Sequence, residues 1–236
     1  MPGQLRMIDC ELCAPVVAAP ASSLRLIANR IVASREEMLL VADHAPMTLG
    51  HLLLIPRDHH TGMASFVAAR PDAATVIGEL TRRYRHGFGA CTVIEHGSGG
   101  TSSRAGSCID HAHWHLFPFA NELRPIVDDD YGASLKGLDS LTQFSRRYAG
   151  QDYLLHWDHD GARAALLDAP AHLPQYARSV VARHTDASAR PYDWDWALRT
   201  DDELLGRTLD ASRRLLTGHD SAAQLIEQES TTGDMT

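Results

Sequence analysis

The 236-residue chain has little that would take it into a membrane or out of a cell. No apolar run approaches the roughly 20 residues that span a bilayer. The opening stretch MPGQLRMIDCELC holds no basic region followed by an apolar one, the mark of a secretory signal. A cytoplasmic location is therefore the expectation. An excess of positive charge is also missing. The formal net charge of −8 speaks against general nucleic-acid binding, which needs a basic face. It leaves room for a small phosphorylated ligand, which a local nest of N–H groups and a few cations can hold. Cysteine is scarce at four residues, and structural disulfides are not expected in a cytosolic chain. No internal repeat is visible. The rest is ordinary for a soluble globular protein, with 44% apolar and 22% charged residues and enough length for one sizeable core.

Histidine, by contrast, is abundant at 14 residues. Three of them stand in strict alternation in DHAHWHLFPF, residues 110–119: His111, His113 and His115. In a strand, alternate residues share one face, so the three imidazoles line up while Ala112, Trp114 and Leu116 point to a packed face. At about 3.3 Å per residue the outer two Cα atoms lie about 13 Å apart. One zinc ion, with Zn–N near 2.0–2.1 Å, cannot easily collect all three from a straight strand. Separate tasks for the three rings are the better reading. The bland alternative is a solvated, His-rich strand face. The preceding loop GSGGTSSRAGS offers small residues whose N–H groups can turn towards an anion, together with hydroxyls and Arg104. On its own such a loop is as readily a surface connection. Next to three histidines it suits phosphate held beside a nucleophilic imidazole.

Turn signals and periodicity place these motifs. LRLIANRIVAS and EEMLLVAD read as strands split by a turn at Ser34–Glu37, and HLLLIP as a buried strand. PDAATVIGELTRRYRHGFG reads as a helix, followed by strands over ACTVIEHG and IDHAHWHLFPF. The connections are too short for parallel crossovers, so the sheet should be largely antiparallel. Beyond Pro118, NELRPIVDDDYGASLKG is expected to be irregular, and SLTQFSRRYAG to be a short helix. QDYLLHWDHDGARAALL should form a hairpin turning at His159–Gly161. LPQYARSVVARH and DDELLGRTLDASRRLLTG should be helices, the latter capped by Asp201 or Asp202.

The segment H-A-H-W-H-L-F, residues 111–117, resembles the histidine-triad motif of the HIT superfamily of nucleotide hydrolases and transferases. Asp43-His-Ala-Pro46 leading into Gly50-His51-Leu-Leu-Leu-Ile-Pro56-Arg-Asp-His59 is similar to the family's Asp-x-x-Pro and Gly-His-x-Leu-x-x-Pro-x-x-His segments. Ala105–Ile109 sits where the family carries its phosphate loop. The resemblance covers roughly residues 8–118. It implies an α+β fold: a HIT-like antiparallel β-sheet with helices over residues 1–121, and a C-terminal helical and hairpin extension over 122–236 packed on that core. It implies His113 as nucleophile towards an α-phosphorus, forming a nucleotidyl-histidine intermediate. His115 would contact the phosphate or protonate the leaving group. Gly106, Ser107 and Cys108, with Arg104 close by, would hold the phosphate, and Asp43 the ribose hydroxyls. The chain departs from the pattern where Ser107 and Cys108 replace the loop's usual Gln and Ser. Glu95 stands where many members carry a phosphate-binding Asn, and a carboxylate there would repel phosphate.

Cys10 and Cys13 have metal-chelating spacing. A redox pair usually opens a helix, and APVVAAPA does not look like one. In the zinc-bearing branch of the superfamily the pair is completed by the histidine after the Pro-x-x segment and by the first of the triad. Here these are His59, with His60 as a neighbouring competitor, and His111. A structural Zn2+ is the implied cofactor. Cys91 reads as core, and His96 as the rim of the site or plain surface. Trp194 and Trp196 either cover the substrate pocket or anchor the extension. Arg178 shares a helix face with Gln175 and suits a phosphate-bearing substrate, but on its own it reads as a surface arginine.

The expected protein is a nucleotide-dependent hydrolase or nucleotidyltransferase. Its partner is a nucleotide or nucleotide conjugate rather than nucleic acid or membrane. A homodimer is allowed by the resemblance, since HIT-like domains often pair. The alternatives are a catalytically idle nucleotide-binding or scaffold protein, and a metal hydrolase that uses the three histidines.

Overall fold

The computed structural model describes residues 10, 12, 27–100, 111–167 and 174–231, with 191–192 and 217–231 described by backbone alone. The described elements, in chain order, are α1 (Ile27–Arg30), β1 (Ile31–Arg35), β2 (Met38–Ala42), β3 (Leu52–Pro56), α2 (Met63–Ala69), α3 (Ala73–Phe88), β4 (Thr92–Gly97) and β5 (Trp114–Phe117). There follow α4 (Arg124–Tyr131), β6 (Lys136–Leu138), α5 (Leu141–Tyr148), β7 (Tyr153–Asp158), β8 (Gly161–Leu166), α6 (Tyr176–Thr185), α7 (Pro191–Trp194) and α8 (Asp202–Thr231). The fold is α+β. Its strands form one eight-stranded antiparallel sheet in the order β1-β2-β3-β5-β4-β7-β8-β6. The hairpin β7–β8 thus continues the same sheet through the β4–β7 ladder, in which Ile94 opposes His156 and Gly97 opposes Tyr153.

Alternation along the strands sorts the side chains onto two faces. Leu40, Leu52, Leu54, Val93, Trp114, Leu116 and Leu155 pack under α2, α3, α5 and the start of α8. The opposite face carries Leu39, Val41, Leu53 and Ile55 near α1. It continues with Ile94, Phe117 and Leu154 beneath α4 and α6. Both faces of the strands are covered, which explains the continuous apolar runs of β2 and β3.

Three local differences from the sequence reading have plain causes. The segment after Pro118 is not irregular: it contains α4, which starts with Pro125 in its first turn, where a missing N–H costs nothing. The stretch taken as a strand at IANR is the short α1, and ladder pairing begins only at Ile31. The triad strand is shorter than expected. Its ladder starts at Trp114, because the chain at Ala112 turns its N–H to the carbonyl of His60 at 2.5 Å.

Gly50 sets the position of His51. Its φ is +85, and a Cβ there would meet the Phe88 ring at 2.6 Å, so glycine is required twice over. Tyr84 donates to its carbonyl at 2.7 Å, and its N–H reaches Thr208 Oγ1 at 3.3 Å. Two helices from distant parts of the chain therefore fix the entry of β3.

Candidate active site

His113 and His115 lie side by side, their ring centroids 4.9 Å apart. Nδ1 of His113 is 2.7 Å from the carbonyl oxygen of His111. A carbonyl only accepts, so the ring's proton sits on Nδ1 and its Nε2 carries a lone pair. Burial lowers the pKa of His113 below the usual histidine value, which keeps the ring neutral and that lone pair available.

His115 stands in β5 opposite Leu53 and Ile94. Its Nδ1 lies 2.9 Å from Nε2 of His51. The backbone N–H of Met47 donates to His51 Nδ1 at 3.2 Å, so neutral His51 carries its proton on Nε2. Burial pushes His51 down to about 3 against the pull of Asp43. Burial likewise drives His115 well below its ordinary value, with the neighbouring histidines adding to the effect. Both rings are neutral near pH 7. His51 then donates to His115 Nδ1, and the His115 proton sits on its outer Nε2. The two triad rings thus present complementary atoms: a lone pair on His113 and an N–H on His115.

Asp43 is buried behind this pair. Its Oδ1 accepts from the Ala45 N–H at 2.8 Å and from Arg178 Nη1 at 3.3 Å, and its Oδ2 is 3.6 Å from His51 Nε2. Burial would raise its pKa, but the charges around it, with Arg178 the standing cation, hold the carboxyl well below its usual range. The expectation for Arg178 is overturned: it is 2% exposed rather than a surface residue. Trp194 is buried, and its carbonyl accepts from Arg178 Nε at 2.7 Å. Trp196 sits edge-on to His44, beside Asp43, with centroids 4.9 Å apart.

His111 turns away from its two partners. Its Nε2–H donates to the Pro56 carbonyl at 2.9 Å, which leaves Nδ1 facing Cys10 Sγ at 3.5 Å. The ligand atoms of Cys10, His59 and His111 all lie within 4.8 Å of one another. His59, not His60, joins this cluster; the His60 ring packs on Phe66 at 5.2 Å. Asp43, His51 and His115 form a second group of that compactness. Cys13, Arg104, Gly106, Ser107 and Cys108 lie outside the described residues.

The reading of Glu95 as a phosphate-repelling group is also overturned. Glu95 shares the face of Trp114, not that of the triad. It accepts from the Met63 N–H at 2.7 Å, Trp114 Nε1 at 2.8 Å and the Tyr153 hydroxyl at 2.7 Å. Burial pushes its pKa up to about 7 despite these three donors. Cys91 is core, and burial raises its thiol to about 12.

Residues 25–122 match the family model of the HIT domain. Among solved structures the chain matches a hypothetical histidine triad nucleotide-binding protein from Sulfolobus tokodaii, at 25% identity and a TM-score of 0.31. The match covers 38% of this chain and 59% of that one. No curated protein matches the chain. His51 and Arg178 were the residues of the site whose part the sequence left unassigned. The signal for His51 was its place between Gly50 and a buried strand; that for Arg178 was its place on a helix face with Gln175, which did not point to Asp43.

Proposed function

We propose that this protein is an enzyme that breaks a bond at the α-phosphorus of a nucleotide or nucleotide conjugate through a covalent intermediate on His113. The observation that carries the reading is the 2.7 Å contact from His113 Nδ1 to the His111 carbonyl, which leaves the lone pair of Nε2 as a nucleophile. Nε2 of His113 attacks phosphorus, and the bond to the leaving group breaks. The leaving group departs with the bonding pair; the His115 Nε2–H, the position that the His51 contact assigns to its proton, hydrogen-bonds to the developing charge, and the leaving group takes its proton from solvent. Water or another acceptor then attacks the phosphorus, gives up its proton to solvent and frees His113. Hydrolase and transferase share the first half and differ in the acceptor admitted to the second.

A structural zinc belongs to the same proposal. Cys10, His59 and His111 would hold it, with Cys13 as the fourth ligand. The donor set fits the ion: thiolate and imidazole, with the second nitrogen of His111 fixed by a backbone carbonyl, as metal-bound histidines commonly are. Such a site would tie the N-terminal arm to the sheet and take no part in the transfer. The division into a catalytic 1–121 and an extension 122–236, and a cytoplasmic location, are part of this reading. No helix among the described residues is long and apolar enough to cross a membrane.

The test is incubation with dinucleoside polyphosphates, nucleoside phosphoramidates and nucleotide sugars, with mass spectrometry of the quenched protein. The expected result is turnover with at least one class, a nucleotidyl adduct on His113, and loss of both in His113→Ala. Binding without turnover across the panel would favour the idle nucleotide-binding protein.

A further inference from the structure

We propose that Arg178, supplied by α6 from beyond the HIT segment, is a positioning residue that commits Asp43 to the His51–His115 line instead of the sugar of the substrate. The inference deepens the reading of the same site. It assigns the extension a part in the chemistry and makes the site tolerant of the sugar's 2′-position.

The geometry runs from the extension inward. Gln175 opens α6 in a left-handed conformation, with φ of 60. Its side chain donates to Asp195 Oδ1 at 3.0 Å and accepts from the Trp196 N–H at 2.9 Å. That lock fixes the first turn of α6 against the segment after α7. Arg178 follows, its Nε on the Trp194 carbonyl and its Nη1 on Asp43. A buried guanidinium is tolerated where such partners meet it, and a buried carboxylate likewise.

Asp43 is thereby consumed. It is 4% exposed, with Oδ1 taken by the Ala45 N–H and Arg178, and Oδ2 turned to His51. Little of the carboxylate is left for the hydroxyls of a ribose. What it does hold is the electrostatic partner of His51 Nε2–H, which in turn donates to His115. Four residues thus form one line, Arg178–Asp43–His51–His115, whose far end is the N–H that the leaving group would meet. Without Arg178 the carboxylate would be buried with no cation. It would rotate to accept the His51 proton for itself, and His115 Nδ1 would lose its donor. The outer nitrogen of His115 would then no longer be held as N–H. The guanidinium also makes the Asp43–His51–His115 group a poor cation site, since it stands 3.3 Å from the only carboxylate.

Two measurements test this on the full-length protein. Long-range 1H–15N spectra of uniformly labelled protein at neutral pH report histidine tautomers without any turnover. In the wild type, His51 and His115 are expected as Nε2–H tautomers. In Arg178→Met, His115 should become a mixture or the Nδ1–H form, and Arg178→Lys should restore part of the wild-type signal. If Arg178→Met fails to fold, Arg178→Gln, which keeps a hydrogen-bonding side chain but removes the cation from Asp43, should show the same change at His115. An unchanged His115 tautomer in a folded variant would overturn the proposal.

The kinetic arm compares the 5′-phosphoramidates of adenosine and 2′-deoxyadenosine. The wild type should handle them with kcat/KM values within about threefold of each other. Arg178→Met should lower kcat roughly 10–100-fold with KM changed less than about threefold, the loss of a held proton donor rather than of binding. A preference for the ribo substrate above about 30-fold would return Asp43 to the sugar and overturn the proposal, because a buried group left without its hydroxyl partner discriminates strongly. If no substrate is turned over, the proposed function fails while the spectra still decide the role of Arg178.

Discussion

Glu95 offers a test of the fold behind the triad. The carboxyl is 1% exposed, and burial moves its pKa from 4.5 to about 7. The folded state therefore binds a proton that the unfolded chain releases between these two values. Its stabilising contribution is fully present below pH 4.5 and is lost as pH rises through 7. The whole shift corresponds to about 3.4 kcal/mol, of which about 2.5 kcal/mol falls between pH 5 and pH 8. Glu95→Gln removes the titration and keeps the shape. It places an amide near Trp114 Nε1 or the Met63 N–H, both donors, so it should cost about 1–3 kcal/mol at pH 5. Buried histidines act in the opposite sense: His51, lowered to about 3, contributes stability above pH 6.5 that is lost towards acid. Those terms are common to both proteins, so the comparison isolates Glu95. Urea denaturation of wild type and Glu95→Gln at half-unit steps from pH 5 to 8 is the assay. The wild type should lose about 2.5 kcal/mol relative to the variant across that range. Parallel pH profiles would refute the assignment of a buried, proton-binding carboxyl at this position.

Elemental analysis should find about one zinc per chain in the wild type, lost in Cys10→Ser/Cys13→Ser together with part of the thermal stability. A metal-free wild type of full stability would reject the zinc proposal. At the β4–β7 ladder, a Cβ on Gly97 would meet the Tyr153 ring at 2.0 Å. Gly97→Ala should therefore destabilise by roughly 1–3 kcal/mol, measured by urea midpoint, and should displace the Tyr153–Glu95 hydrogen bond. A neutral substitution would mean that β7 does not lie against β4 in this register.

The sequence carried the ladder elements well because their signals are local. Alternation and turn residues mark β2, β3 and the β7–β8 hairpin, and helical spacing after Pro71 marks α3. α4 was hidden by its composition: RPIVDDDY is short and acidic, and it is stabilised as a helix by burying Val127 beneath the sheet. The extent of β5 was hidden as well, since three alternating histidines give the period of a strand without showing where pairing begins. Glu95 and His96 illustrate the same limit. They are neighbours pointing to opposite faces, and the period does not say which face carries the triad.

By itself the sequence determined that His113 and His115 share a face. It also placed Cys10, His59 and His111 in segments able to converge, and the surrounding motifs resemble those of HIT proteins. Those facts follow from spacing along one chain and from residue chemistry. Only the tertiary structure decided which nitrogen of each histidine faces the site, because that depends on the His111 carbonyl, the Met47 N–H and the distance between two strands. It also decided that Arg178 meets Asp43 across 135 residues. A contact at that separation leaves no local trace: it costs chain entropy to form and exists only once α6 has packed on the sheet.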